Sequence, residues 1–153
     1  MSLLKQDVEI LRRVPLFSPI DTARLKLLAF TSQRLSFDED QVLFRQNESG
    51  ETAYVLIDGT ADVFVNAGDR EVWVASVGRN EIVGEIAILC DVPRTATVRT
   101  TSKVEALVIQ KDQLIELLRS FPDIAIAMIR VLALRVNRTN QEVARLVQAQ
   151  NHQ

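Results

Sequence analysis

The chain has one histidine and one cysteine in 153 residues. The histidine, His152, stands next to the last residue, so a metal centre built from several histidines is excluded. Haem ligation has just Cys90 and His152 to draw on and is not expected. A single cysteine excludes an internal disulfide and agrees with a cytoplasmic setting. Cys90 itself reads as a small apolar filler. Neither sign of charge dominates, with 18 Lys and Arg against 20 Asp and Glu and a net charge of −2. That balance excludes a global attraction to nucleic acid or to an anionic membrane. No apolar run approaches the ~20 residues of a membrane span. The N-terminus, MSLLKQDVEILRR, has charges where a signal peptide needs its apolar stretch. There is no long internal repeat, low-complexity stretch, P-loop, metal-ligand cluster or nucleophile–base pairing. An enzyme is therefore not expected.

What is present is enough apolar material, 47% of residues, for one soluble domain with a sizeable core. Leu3 to Arg13 reads as a short amphipathic helix with Leu4, Val8 and Leu11 on one face, stopped by Pro15. Asp21 can cap a second helix through Ala29. From Thr31 to Ile109 the texture changes to short alternating runs: Gln41–Phe44, Thr52–Ile57, Thr60–Val65, Val72–Val77, Thr95–Thr100 and Val104–Ile109. Asn47-Glu48-Ser49-Gly50, Asp58-Gly59, Ala67-Gly68-Asp69 and Gly78 break them. Many short strands so spaced predict an antiparallel barrel or sandwich, with Asp58-Gly59 at a tight hairpin.

Helical texture returns over Asp112 to Arg119, with Leu114, Leu117 and Leu118 inward. Pro122 suits the first turn of a last helix running to about Ala149. Along it Ala125, Ile129, Leu132, Val136, Thr139, Val143 and Leu146 alternate by four and three. Such a seam pairs with another helix. The alternative is that its first half packs on the domain's own barrel and its second half frays.

Gly84 to Thr100, GEIAILCDVPRTATVRT, holds the densest chemistry. Arg94 offers a planar fork of donors that matches phosphate oxygens. Gly84 lets backbone come close to a ligand. A short helix over Glu85 to Cys90 would present its first free N–H groups to an anion. Glu85 would repel that anion, so its partner should be a hydroxyl, since a carboxylate only accepts hydrogen bonds.

Gly84, Glu85, Ile86, Ala87, Leu89, Pro93, Arg94, Ala96, Thr97 and Val98 closely resemble the phosphate-binding cassette of cyclic nucleotide-binding domains. That pattern is roughly Phe-Gly-Glu-Leu/Ile-Ala-Leu, a spacer, then Pro-Arg-x-Ala-Thr-Val. Val83 replaces the frequent Phe, and Asn47 and Asn80 stand where the family usually has Gly. VLFRQNESGETAYVLIDGTADVFV is similar to the family's β-roll, so the resemblance covers nearly the whole chain.

The resemblance implies an α+β fold: an antiparallel β-roll with N-terminal helices, a cassette helix and two C-terminal helices. One domain overall would comprise a helical segment at 1–30, a roll at 31–110 with the cassette at 83–100, and hinge or lid helices at 111–150. It also implies a site of Val83, Gly84, Glu85, Ile86, Ala87, Arg94, Thr95 and Ala96. Arg94 would pair with the cyclic phosphate, and the N–H groups of Ala87 and Thr95 would assist. Glu85 would accept from the ribose 2′-hydroxyl. Thr139 and Asn140 match the base-contacting pair of the catabolite activator, which favours cyclic AMP. A Thr at a seam position can also simply fix helix register. Thr95 resembles the Thr that holds guanine in cyclic-GMP-dependent kinases, so cyclic GMP is the rival ligand. No further cofactor is implied. Expected partners are a second copy through the last helix, or an effector protein. The resemblance to the catabolite activator stops before its helix-turn-helix, so no nucleic acid is expected. Ligand would shift the last helix about a hinge at Ser120-Phe121-Pro122. The competing reading is a ligand-free docking module.

Overall fold

The computed structural model describes residues 2–151, so His152 lies outside the described residues. Two helices open the chain, α1 (Leu3–Arg12) and α2 (Thr22–Phe30). Ser2 caps the first by accepting from the Lys5 N–H at 3.3 Å. Asp21 caps the second by accepting from the Arg24 N–H at 3.0 Å, as its position before an apolar run predicts. Eight strands follow: β1 (Gln33–Phe37), β2 (Val42–Phe44), β3 (Thr52–Asp58), β4 (Ala61–Ala67), β5 (Arg70–Val77), β6 (Ile82–Val83), β7 (Thr97–Thr100) and β8 (Val104–Gln110). Helix α3 (Glu85–Cys90) lies between β6 and β7. Helices α4 (Lys111–Ser120) and α5 (Pro122–Asn151) end the described chain.

The strands form two four-stranded sheets, ordered β1-β8-β3-β6 and β2-β7-β4-β5, with every recorded pairing antiparallel. This is the expected β-roll. Two strands escaped the sequence reading. β1 alternates poorly, since Arg34 takes an inward position to meet Asp7 and Glu105. β6 is two residues long and exists only through its pairing with Tyr54 and Val55.

The hairpin expected at Asp58-Gly59 is absent. β3 and β4 belong to different sheets, and the turn carries the chain from one to the other. Gly59 has φ +90 there, and a Cβ would stand 2.2 Å from the Lys103 carbonyl oxygen. The tight hairpin lies one breaker later. Ala67 faces Arg70 across Gly68-Asp69, joining β4 to β5.

Two cores result. Phe44, Leu56, Ala61, Val83, Val98, Val104 and Ala106 fill the roll between the sheets. Val8, Leu11, Phe17, Leu25, Leu28, Leu114, Leu117, Ile124 and Met128 join the helices to the first sheet. α5 therefore begins anchored by Ile124 and Met128, with Leu132 partly buried beside them. Leu132, counted in the seam, is spent on the domain's own core. From Ala133 to Asn151 every residue of α5 is exposed. Phe121 breaks the helix between α4 and α5 with φ −132 and ψ 78. Among the described residues, no helix is long and apolar enough to cross a membrane.

Candidate anion-binding site under the cassette helix

The site assembles where β6 hands over to α3. Gly84 caps α3 with φ +89, a left-handed value that its lack of a Cβ permits. A Cβ there would meet Arg94 Nη1 at 2.5 Å, so the glycine also makes room for the arginine. No side chain caps α3, which leaves its first-turn N–H groups without a capping acceptor.

Arg94 is 4% exposed. Its backbone is clamped on both sides: its N–H donates to the Glu48 carbonyl and its carbonyl accepts from the Asn47 N–H, each at 2.8 Å. Asn47 bends there with φ +74 and Asn80 with φ +69, the left-handed values their places in the glycine pattern demand. The guanidinium lies over the Phe44 ring at 4.0 Å. Nη1 donates to the Thr52 carbonyl at 2.7 Å and to the Gly84 carbonyl at 3.3 Å, and Nη2 donates to Thr52 Oγ1 at 3.0 Å. Nε is buried without a hydrogen-bond partner. Burial pulls the Arg94 pKa down, opposed by Tyr54, Glu48 and Glu51. An arginine stays charged at neutral pH regardless. The site thus keeps a positive charge and a spare donor out of water, which suits an anion.

Glu85 faces the opposite problem. Burial raises its pKa, while its own backbone N–H and the Arg135 charge oppose the rise. It is a poor neighbour for a phosphate and a good acceptor for a hydroxyl.

A cavity of ≈ 160 Å³ opens between these groups. Val83, Gly84, Glu85, Ile86, Ala87, Arg94, Thr95 and Ala96 all line it, so eight of the ten expected site residues meet in one place. Thr139 and Asn140 are not in its wall. Both lie on the exposed part of α5, and the Thr139 hydroxyl donates to the Arg135 carbonyl of its own helix at 3.0 Å. Phe44, Val63, Ile82 and Val98 complete the lining and were missed. Inward alternation of Val63 and Val98 was the available signal. Cys90 is exposed rather than a buried filler. Among the described residues no His, Cys, Asp and Glu group could hold a metal.

Roll, short helix and buried arginine define the class: a β-roll with a small pocket lined by a buried cation. Residues 34–121 match the cyclic nucleotide-binding domain, and the chain belongs to that family. A CRP-like cAMP-activated global transcriptional regulator of Mycobacterium tuberculosis is 30% identical over 140 residues, covering 91% of this chain and 62% of that protein. A putative potassium channel protein of Rhodopseudomonas palustris is 29% identical over 135 residues, covering 88% of this chain and 32% of that one. Among solved structures, the N-terminal domain of a transcriptional regulator from Streptomyces coelicolor aligns with a TM-score of 0.72 at 31% identity, covering 86% of this chain and 95% of that one. The chain thus spans less than two thirds of the length of these curated relatives.

Proposed function

We propose that this chain is a regulatory sensor that binds a cyclic nucleotide, cyclic AMP before cyclic GMP, and has no enzymatic activity of its own. The observation that carries the reading is Arg94: buried, charged, held without a carboxylate partner and lining a cavity under an uncapped helix start. The cyclic phosphate sits against Arg94 and the N–H groups of Ala87 and Thr95. Glu85 accepts from the ribose 2′-hydroxyl, and Arg135 of α5 supports its charge. The preference for cyclic AMP rests on the Mycobacterium tuberculosis relative, described as cAMP-activated. Thr95 lines the cavity and keeps cyclic GMP as the rival.

The output is the exposed apolar stripe of α5. Ile129 is 62% exposed, Val136 60%, Val143 54% and Leu146 60%, a helical stripe that leaves apolar surface in water. It pairs with a second copy of the chain, which also offers Thr139 and Asn140 a route to the base. Ligand shifts the population of α5 positions about Phe121, to the extent that it binds one of them better.

Calorimetric titration with cyclic AMP and cyclic GMP, beside Arg94→Ala, tests the sensor. Binding abolished by the substitution supports it, and the ratio of the two affinities decides the base. No binding of either nucleotide leaves the docking module as the better account.

A further inference from the structure

Arg94 is held without a carboxylate. None of the recorded ion pairs involves it, although Glu48 and Glu51 are near enough to favour its charge. Neutral oxygens hold it instead. Thr52 supplies two of them, its carbonyl at 2.7 Å from Nη1 and its hydroxyl at 3.0 Å from Nη2. The Thr52 hydroxyl in turn donates to the Tyr54 hydroxyl oxygen at 3.3 Å. That bond fixes the rotor, because a hydroxyl that gives its single proton to Tyr54 turns its lone pairs toward the arginine. Tyr54 stacks on Phe44 with ring centroids 5.9 Å apart, and Phe44 underlies the guanidinium. Gly50 completes the cradle, since a Cβ on it would lie 2.3 Å from the Ala87 Cβ and 3.3 Å from Arg94 Cδ.

We infer that Thr52, with Tyr54 behind it, is the positioning residue for the anion-binding arginine. Strand period explains the pair. Residues two apart on β3 point to the same face, so Thr52 and Tyr54 reach the same side of the roll. A carboxylate in the same place would orient Arg94 as well, but would neutralise it. A threonine orients the guanidinium and leaves its charge for the ligand. The inference rests on the nucleotide-binding reading of the site. It adds a residue that touches no ligand and acts through Arg94.

The test is titration of cyclic AMP and cyclic GMP into the wild-type chain, Thr52→Val, Thr52→Ser, Tyr54→Phe and the Thr52→Val/Tyr54→Phe double variant. Melting of each without ligand controls for folding. Thr52→Val keeps the shape and removes the hydroxyl. It should weaken both nucleotides alike, by about tenfold for one charge-assisted hydrogen bond. Thr52→Ser should restore binding to within about threefold of wild type, because it returns the hydroxyl. Tyr54→Phe should weaken binding less than Thr52→Val. The double variant should be no worse than Thr52→Val, since Tyr54 acts through Thr52. Thr52→Val binding as wild type, or Thr52→Ser failing to rescue, overturns the inference while the sensor stands. Should Thr52→Val melt out, Tyr54→Phe decides alone: unchanged affinity overturns the inference and weakened affinity supports it. A wild-type chain that binds neither nucleotide overturns the sensor and the inference with it.

Discussion

Arg94 is buried and Glu85 partly buried, and withdrawing either charge from water is costly. Arg94→Ala removes the central donor and should weaken nucleotide binding by at least about 2 kcal/mol, tens of fold in Kd, read by titration. Glu85 links the site to pH. Its pKa is raised in the fold by burial, so between the unfolded and folded values the native state holds more protons. Stability without ligand should therefore fall as pH rises through that window, and the cost is fully present above it. Glu85→Gln should flatten this part of the pH profile and melt higher than wild type at neutral pH. In acid below the ordinary carboxylate range the two should converge. Melting curves across pH check this, and parallel profiles for the two proteins would show that Glu85 does not carry the penalty. The same substitution should weaken nucleotide binding, which ties the stability cost to the function.

Elements show why two glycines with similar backbone differ. Gly84 and Gly68 both have positive φ. At Gly68 a Cβ meets nothing within 4 Å, while at Gly84 it meets Arg94 Nη1 at 2.5 Å. Gly68→Ala should cost about 1–2 kcal/mol of stability from left-handed strain and leave binding unchanged. Gly84→Ala should suffer the same strain, displace Arg94 and abolish stabilisation by nucleotide. Thermal shift with and without cyclic AMP separates the two, and equal loss of ligand response in both would contradict the geometry. Helix α5 divides the same way. Ile124 and Met128 hold its start in the core, whereas its distal half has no burial of its own. Amides beyond Ala133 should exchange much faster than those near Met128 in a dilute, unliganded sample. Uniform protection along α5 at all concentrations would mean that the distal helix is held by contacts within one chain.

At the scale of the molecule, the stripe on α5 leaves Ile129, Val136, Val143 and Leu146 in water. Isolated apolar residues on a surface are ordinary, but a stripe at helical spacing calls for a partner. Sedimentation should show concentration-dependent dimers, and Val136→Asp with Val143→Asp should give monomers that bind nucleotide more weakly, since the partner copy's Thr139 and Asn140 are lost with the dimer. If the doubly substituted chain sediments as the wild type does, the stripe is not the dimer contact. Loss of nucleotide affinity along with the dimer would place Thr139 and Asn140 of one copy at the ligand of the other.

Local patterns were legible because they depend on near neighbours. Caps at Asp21, breakers at proline and the cassette helix after Gly84 follow from short-range backbone chemistry. The cassette itself, from Val83 to Ala96, could be read whole because one turn and one short helix bring its parts together. Positive φ at Asn47 and Asn80 was legible only through the resemblance, since both stand where the family usually has Gly. Contacts across the chain were not. Whether Asp58-Gly59 closes a hairpin or crosses between sheets depends on strand partners dozens of residues away. β6 exists only because β3 lies beside it, and the cradle of Arg94 draws Phe44, Gly50 and Thr52 from strands and loops far ahead of it in sequence. The sequence by itself determined which residues could bind an anion and a hydroxyl. Tertiary structure alone decided which donors of Arg94 are spent within the protein and which are left without a partner, because only packing fixes a guanidinium's partners.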